Sequence, residues 1–295
     1  MLITVSSIRG APGATSLALL LTSAWPDHEV DRVLVEADCD GGVLGARYQL
    51  GVEPGAVSLI SACGRRSADL DPASVGRPVA ERVWIVPGPE VAGPASAAWA
   101  AGAVDVAARL AADPGVWVID AGRLGAMAPT WPLAAGAEAR VLVTGSALED
   151  LVQVPDRVRE LRSLAPDGGV TGVVVMGATA HPRPELARFF ATDQVWILPT
   201  VTGLATTAFA AATGRGRARR QALWRAVVDL AVELAAELAV PPGGRPTFDA
   251  APPVPSSESE SAEGFRWSAT AEPPATGWPA TSLATGPADG WGRSA

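Results

Sequence analysis

Three groups of residues in this 295-residue chain carry types and spacings that could do chemistry. The first is Arg9-Gly10-Ala11-Pro12-Gly13-Ala14-Thr15-Ser16, a glycine-bearing turn between the β-branched run Leu2-Ile3-Thr4-Val5 and the apolar stretch Leu17-Ala18-Leu19-Leu20-Leu21. A strand, a tight turn and a helix start aim free backbone N–H groups and the positive end of a helix dipole at one point, which suits an anion. The second is Glu36-Ala37-Asp38-Cys39-Asp40, closing the apolar run Arg32-Val33-Leu34-Val35. Taken alone, acids and glycines at a strand end serve to turn the chain. The third is Asp120, at the end of Val116-Trp117-Val118-Ile119, whose unbroken apolar character predicts a buried parallel strand.

The elements that must position these residues alternate. Further strands are predicted at Arg82 to Val86, Ala139 to Thr144, Val170 to Met176 and Gln194 to Leu198, with helices at Ala95 to Ala112, Leu148 to Leu164, Pro184 to Ala191 and Arg217 to Val240. This order predicts an α/β fold, a doubly wound and mostly parallel sheet with helices on both faces. Ligands of such sheets sit at the carboxyl ends of the strands, which is where Gly10, Asp38 and Asp120 all fall.

On these residues, positions 1 to 240 resemble the MinD/ParA family of P-loop ATPases, and the P-loop NTPase fold is what the resemblance implies. Ser7 to Ser16 is similar to the family's deviant phosphate-binding loop, Ser-Gly-Lys-Gly-Gly-x-Gly-Lys-Thr-Thr. Matched onto it, Arg9, Gly10, Gly13, Thr15 and Ser16 are the candidate nucleotide-binding residues, with Thr15 where the family holds magnesium. Glu36-Ala37-Asp38 resembles the family's Asp-x-Asp motif, whose carboxylates lie near magnesium and the attacking water; in a working enzyme Glu36 and Asp38 are the catalytic candidates. Asp120 resembles the Walker B aspartate, so the implied magnesium set is Thr15, Asp38 and Asp120 and the implied cofactor is ATP with magnesium.

The match is also degraded. The Walker lysine falls at Ala14, the signature lysine at Arg9, and two glycines at Ile8 and Ala11, while Pro12 removes an N–H from the turn. All 23 basic residues are arginine, so no lysine from elsewhere substitutes. Met176-Gly177-Ala178 stands where the family reads adenine with Asn, and Ile197-Leu198-Pro199-Thr200 lacks the family's aspartate. The resemblance therefore implies a pseudo-ATPase, an adaptor or positioning factor similar to the localisation factors of bacterial pilus-assembly and secretion machines. The alternative is an active ATPase of the chromosome-partition or division-site type, in which Arg9 replaces the signature lysine across a homodimer.

Composition bounds the rest. A net charge of −8 and a pI near 4.9 argue against broad binding to DNA or anionic lipid. Cys39 and Cys63 with His28 and His181 offer neither a disulfide framework nor zinc spacing. No secretory leader and no apolar run of about twenty residues is present, so a cytoplasmic protein is expected. In the last helix Leu223, Val227, Leu230, Ala231, Leu234 and Leu238 share a face opposite Asp229, Glu233 and Glu237, which predicts core packing rather than a membrane-surface helix. Arg215, Arg217, Arg219, Arg220 and Arg225 form one basic cluster, either a solvated helix start or a patch for an anionic partner. Residues 241–295 are rich in Pro, Ser, Glu and Ala and predict a disordered tail; Phe265, Trp267, Trp278 and Trp291 within it read either as docking motifs for a protein partner or as loosely packed aromatics.

Overall fold

The structure, a computed structural model, describes residues 1–10, 13–65, 70–164, 169–214 and 218–240. Residues 241–295, with the tail tryptophans, lie outside the described residues, as do Ala11, Pro12, Arg215 and Arg217.

Eight strands form one sheet: β1 (Leu2–Ser7), β2 (Arg32–Glu36), β3 (Arg77–Ala80), β4 (Val83–Val86), β5 (Val116–Arg123), β6 (Ala139–Gly145), β7 (Val170–Met176) and β8 (Val195–Leu198). Their order is β3-β4-β2-β5-β1-β6-β7-β8, and every pair is parallel except β3 with β4. β1 is buried along its whole length between β5 and β6, with Val5 beside Asp120 on one side and Val141 on the other.

Alternation along the strands divides the core. Ile3, Val5, Leu34, Val118, Val141 and Val174 face one layer of helices, while Leu2, Val33, Val35, Ile119, Leu142 and Val173 face the other. The first layer is α1 (Ala14–Ala24), α10 (Leu204–Ala212) and α11 (Ala222–Ala239), with α2 (Leu44–Tyr48) at its edge. α3 (Ala56–Gly64) and α5 (Ala92–Ala111) cover one half of the opposite face, α8 (Val154–Ser163) and α9 (Arg183–Phe190) the other. The short helices α4 (Pro72–Val75), α6 (Trp131–Gly136) and α7 (Leu148–Leu151) complete the order. The doubly wound, mostly parallel α/β sheet expected from the sequence is what forms.

α1 is buried everywhere except at Thr15, because the sheet lies on one side and α10 and α11 on the other. Its apolar sequence has no polar face for that reason, and its buried hydroxyls turn inward, Thr22 Oγ1 to Ala18 O at 2.7 Å and Ser23 Oγ to Leu19 O at 2.8 Å. α3 approaches α5 closely at Gly102, where a Cβ would lie 2.3 Å from Ile60 Cγ2.

Three elements differ from the sequence reading. The strand at Arg82 to Val86 begins at Val83, since Arg82 has φ 52° in the turn of an antiparallel hairpin whose first arm, β3, went unpredicted. The helix at Leu148 to Leu164 is two helices, divided at Val152-Gln153 with Pro155 in the first turn of α8. The helix at Arg217 to Val240 begins at Ala222, after a 3₁₀ turn at Ala218–Arg220. Within it Leu223, Val227, Leu230, Ala231 and Leu234 are buried in the core, as the amphipathic pattern requires.

One buried cation belongs wholly to the scaffold. Arg140, 1% exposed, donates Nε to Ala134 O at 2.8 Å and Nη2 to Ala137 O at 2.6 Å and Ala135 O at 3.2 Å, closing the carboxyl end of α6. Burial pushes its guanidinium down to about 10, still charged at neutral pH. Arg140→Met is expected to strand those carbonyls and to lower stability by about 3 kcal/mol, read as a lower urea midpoint with unchanged slope.

Candidate functional site

The loop after β1 leads into α1 through Gly13, whose φ of 97° places it in the left-handed region. A Cβ there would lie 2.8 Å from Leu204 Cδ2, so the start of α10 closes down on a residue without a side chain. Gly13 O accepts from Leu17 N at 2.9 Å, and no side chain caps α1. The first-turn N–H groups of α1 are therefore left for an outside partner.

A cleft of about 370 Å³ opens there, lined by Ser7, Gly10 and Gly13 to Ser16 from the loop, Asp38 and Asp40 from the end of β2, and Gly122 and Arg123 from β5. Arg47 of α2 and Leu204-Ala205 of α10 close it. Tyr48 ties these last two helices together by stacking on Phe209, centroids 4.0 Å apart, and by donating its hydroxyl to Ala205 O at 2.9 Å.

Gly122 joins the three strand ends. Its N–H donates to Asp120 Oδ1 at 3.1 Å and its carbonyl accepts from Ser7 Oγ at 3.3 Å. Its φ is 57°, and a Cβ would lie 2.1 Å from Asp38 Cγ, so the Asp38 carboxyl rests directly on the glycine. Asp120 is fully buried, and its Oδ2 has no hydrogen-bond partner among the described residues. Desolvation raises its carboxyl to about 7, the Thr15 side chain opposes that rise, and the nearby charges of Glu36 and Asp38 add to it. Burial likewise raises Asp38, opposed by the Asp40 N–H and by Arg123.

The sequence-predicted residues are thus divided. Gly10, Gly13, Thr15, Ser16 and Asp38 share the cleft, with Asp120 beneath it in contact with Gly122. Glu36 is not among the lining residues. It is 1% exposed, and its Oε1 accepts from Val43 N at 2.6 Å and Leu44 N at 2.9 Å while Oε2 accepts from Gly88 N at 2.9 Å. Three backbone donors fix it as the clamp between the β2–α2 loop and the end of β4; desolvation still raises its pKa against them. Arg9 turns the other way, 4.0 Å from Asp150 Oδ1, and reaches Gln153 with Nε at 3.1 Å when that amide is oriented to accept. It borders a second recess of about 280 Å³, lined also by Met176 and Thr200.

Two charged lining residues were missed by sequence reasoning, as were Leu204 and Ala205 at the start of α10. Arg123 was visible as the residue after Gly122, and pairs with Asp40 Oδ2 at 2.8 Å. Arg47 sits on a five-residue helix with no periodic signal.

The residues that the family resemblance assigns to magnesium are compatible with that ion: a hydroxyl at Thr15, a carboxyl at Asp38 and an unpartnered buried oxygen at Asp120. Magnesium takes one or two carboxylates together with water and phosphate oxygens. Among the described residues no three His, Cys, Asp or Glu side chains gather into a group that could hold a metal ion. The phosphate half has amides and arginines but no cation on α1, since Ala14 is 7% exposed and packs in the core.

A carboxyl held near 7 in the folded chain keeps its proton over a range in which the unfolded chain, near 3.8, has lost it. Asp120 therefore lowers stability progressively as pH rises from about 4 to about 7. Asp120→Asn is expected to flatten that decline and to be the more stable protein at about pH 8, by up to about 4 kcal/mol. Denaturant titrations of both proteins across that range check it.

No model of a known family matches the chain, and no curated protein matches it. Solved structures do. A ParA family ATPase from Chlorobium tepidum superposes with a TM-score of 0.61 at 15% identity, over 78% of this chain and 97% of that one. The septum site-determining protein MinD of Pyrococcus horikoshii, complexed with Mg-ADP, gives 0.61 at 15% identity over 81% and 99%. A chain of the MinC:MinD cell division protein complex of Aquifex aeolicus gives 0.57 at 13% identity over 82% and 98%. The chain has the fold of the MinD/ParA-type P-loop ATPases.

Proposed function

We propose that this protein is a pseudo-ATPase, a MinD/ParA-like scaffold that acts as an adaptor or positioning factor rather than as a hydrolase. The observation that carries the reading is Ala14. The position from which a P-loop lysine reaches the β- and γ-phosphates is a methyl group packed in the core, and the chain has no lysine to send from elsewhere. Preorganised charge of this kind typically lowers a barrier by about 3 kcal/mol. Arg9 does not replace it, being engaged with Asp150 and Gln153 on the far side of the loop.

The same cleft supports binding without turnover. Magnesium, when bound with a nucleotide, supplies charge between phosphate oxygens. For their part, the residues of this chain offer the amides of Gly13 to Ser16, the Thr15 hydroxyl, the Asp38 and Asp120 carboxyls, and the guanidinium groups of Arg47 and Arg123. With these go a globular unit at 1–240, a separate tail at 241–295 bearing Trp267, Trp278 and Trp291 for a protein partner, a homodimeric state and a cytoplasmic location. Among the described residues no helix is long and apolar enough to cross a membrane. A relative crystallised as a MinC:MinD complex supports a protein partner; a pilus-assembly or secretion machine follows from the family resemblance alone.

Arg47 and Arg123 favour one other reading, an active ATPase of the partition or division-site type that draws its cations from α2 and β5. Calorimetric titration of ATP and ADP with magnesium into the full chain, with a phosphate-release assay on the same sample, separates the two. Nucleotide binding with release no faster than in buffer is expected, and Ala14→Lys is expected to tighten binding by about tenfold, the gain of one charge-assisted contact. Magnesium-dependent release in the native protein, abolished by Arg47→Ala or Arg123→Ala, overturns the pseudo-ATPase reading.

A further inference from the structure

The largest cleft among those described lies at the other end of the sheet, where the strands begin, and nothing in the nucleotide reading uses it. Its volume is about 780 Å³, within the range of small-molecule sites. It is bounded by the carboxyl end of α1 and the residues after it, by Arg32 at the start of β2, by the β3–β4 hairpin and by one side of α11.

Two guanidinium groups meet there. Arg32 is 5% exposed; its Nη1 lies 2.8 Å from His28 Nδ1 and its Nη2 donates to Glu81 O at 3.0 Å. An arginine can only donate, so in this contact His28 Nδ1 is the acceptor. Arg32 Nε is buried without an acceptor among the described residues. Arg219 comes from the basic cluster that the sequence singles out ahead of the last helix. Its Nε donates to Ala211 O at 2.9 Å, and its guanidinium lies over the Trp224 ring, 5.0 Å from the centroid.

Among the described residues neither arginine pairs with a carboxylate at ion-pair distance. Burial lowers the Arg32 pKa, the charge of Arg219 lowers it further, and Asp27, Asp31 and Glu81 pull it back from outside contact distance. A buried cation held, among the described residues, by a carbonyl and a ring nitrogen, with a second cation beside it, is under-satisfied in a way that an oxyanion would correct. The wall facing the arginines is apolar, from Trp224, Val228 and Val232, the last half exposed. Glu29 and Glu81 at the margin disfavour a polyphosphate and favour a compact head group of low charge.

We propose that this cleft is a second ligand site that takes a small organic oxyanion, its phosphate or carboxylate head between Arg32 and Arg219 and its apolar body along Trp224, Val228 and Val232. The site is independent of the nucleotide cleft and stands whether or not that cleft binds ATP. Carboxylate and phosphate share the recognition chemistry, and the test separates them.

The full chain is titrated calorimetrically with phenyl phosphate, benzoate and inorganic phosphate, with tryptophan fluorescence followed in parallel. Saturable one-to-one binding of phenyl phosphate or benzoate, tighter than inorganic phosphate, is expected, and which aromatic anion is tighter assigns the head group. Arg219→Ala, at an exposed position, is expected to weaken binding by about tenfold, the loss of one charge-assisted contact, and Arg219→Lys by less. Trp224→Phe is expected to remove the fluorescence change while heat of binding persists. Arg32→Gln is expected to weaken binding as well, at a temperature where its circular dichroism matches the native spectrum. An Arg47→Ala, Arg123→Ala double variant is expected to bind as the native chain does. Absence of saturation up to ~10 mM, weaker than any specific site of this kind, overturns the proposal. So does binding that is indifferent to Arg219→Ala, or binding lost in the double variant.

Discussion

A central parallel strand with both faces and both edges covered is the constraint on which the rest of this molecule depends. β1 has no exposed residue, so helices must cover both sides of the sheet, and α1, which follows it directly, must be buried in turn beneath α10 and α11. A helix enclosed in that way can offer nothing polar along its length. Its free N–H groups are at one end and its free carbonyls at the other, and a polar cleft lies at each of those ends.

At the carboxyl end of the strands, close backbone packing decides what each acid can do. Glu36 and Asp38 are two residues apart on β2, yet the first has three backbone donors and the second has one, from the Asp40 N–H. Glu36 is held because Gly42 and Gly88 bring main chain within contact of it, and a Cβ at Gly42 would lie 2.4 Å from Oε2. Asp38 is left facing the cleft because Gly122 gives it a flat surface to rest on. The same glycine donates its N–H to Asp120 Oδ1. One acid serves the scaffold while two remain available to a ligand.

This division explains what the sequence did and did not disclose. The parallel strands were legible because each is an apolar run buried on both faces, and their ends located Asp38 and Asp120. β3 was not, since a four-residue edge strand with Pro78 and half-exposed neighbours carries no such run. The role of Glu36 was hidden because its partners are main-chain N–H groups, which leave no trace in residue identity. Arg47 and Arg32 were hidden for a different reason. In a chain whose basic residues are all arginine, composition cannot distinguish a functional guanidinium from a solvated one; the folded chain does so, by burying Arg32 with Nε unpartnered and by placing the exposed Arg47 at the cleft.

Asp120 weighs against reading the cleft as a relic. A carboxyl buried completely with one oxygen unpartnered is costly, and an Asn there would keep the acceptor for the Gly122 N–H while losing the charge. Nothing in the packing around β5 requires the acid, whereas Arg140 and Glu36 are each required by the carbonyls or amides that surround them. The missing lysine removes a group that acts on a transferring phosphoryl; the buried aspartate is a group that acts on a metal already in place. On the pseudo-ATPase reading proposed above, a cleft without the first and with the second would hold a magnesium-linked anion and leave it intact, and the unpartnered oxygen of Asp120 would gain a partner when that ligand arrives.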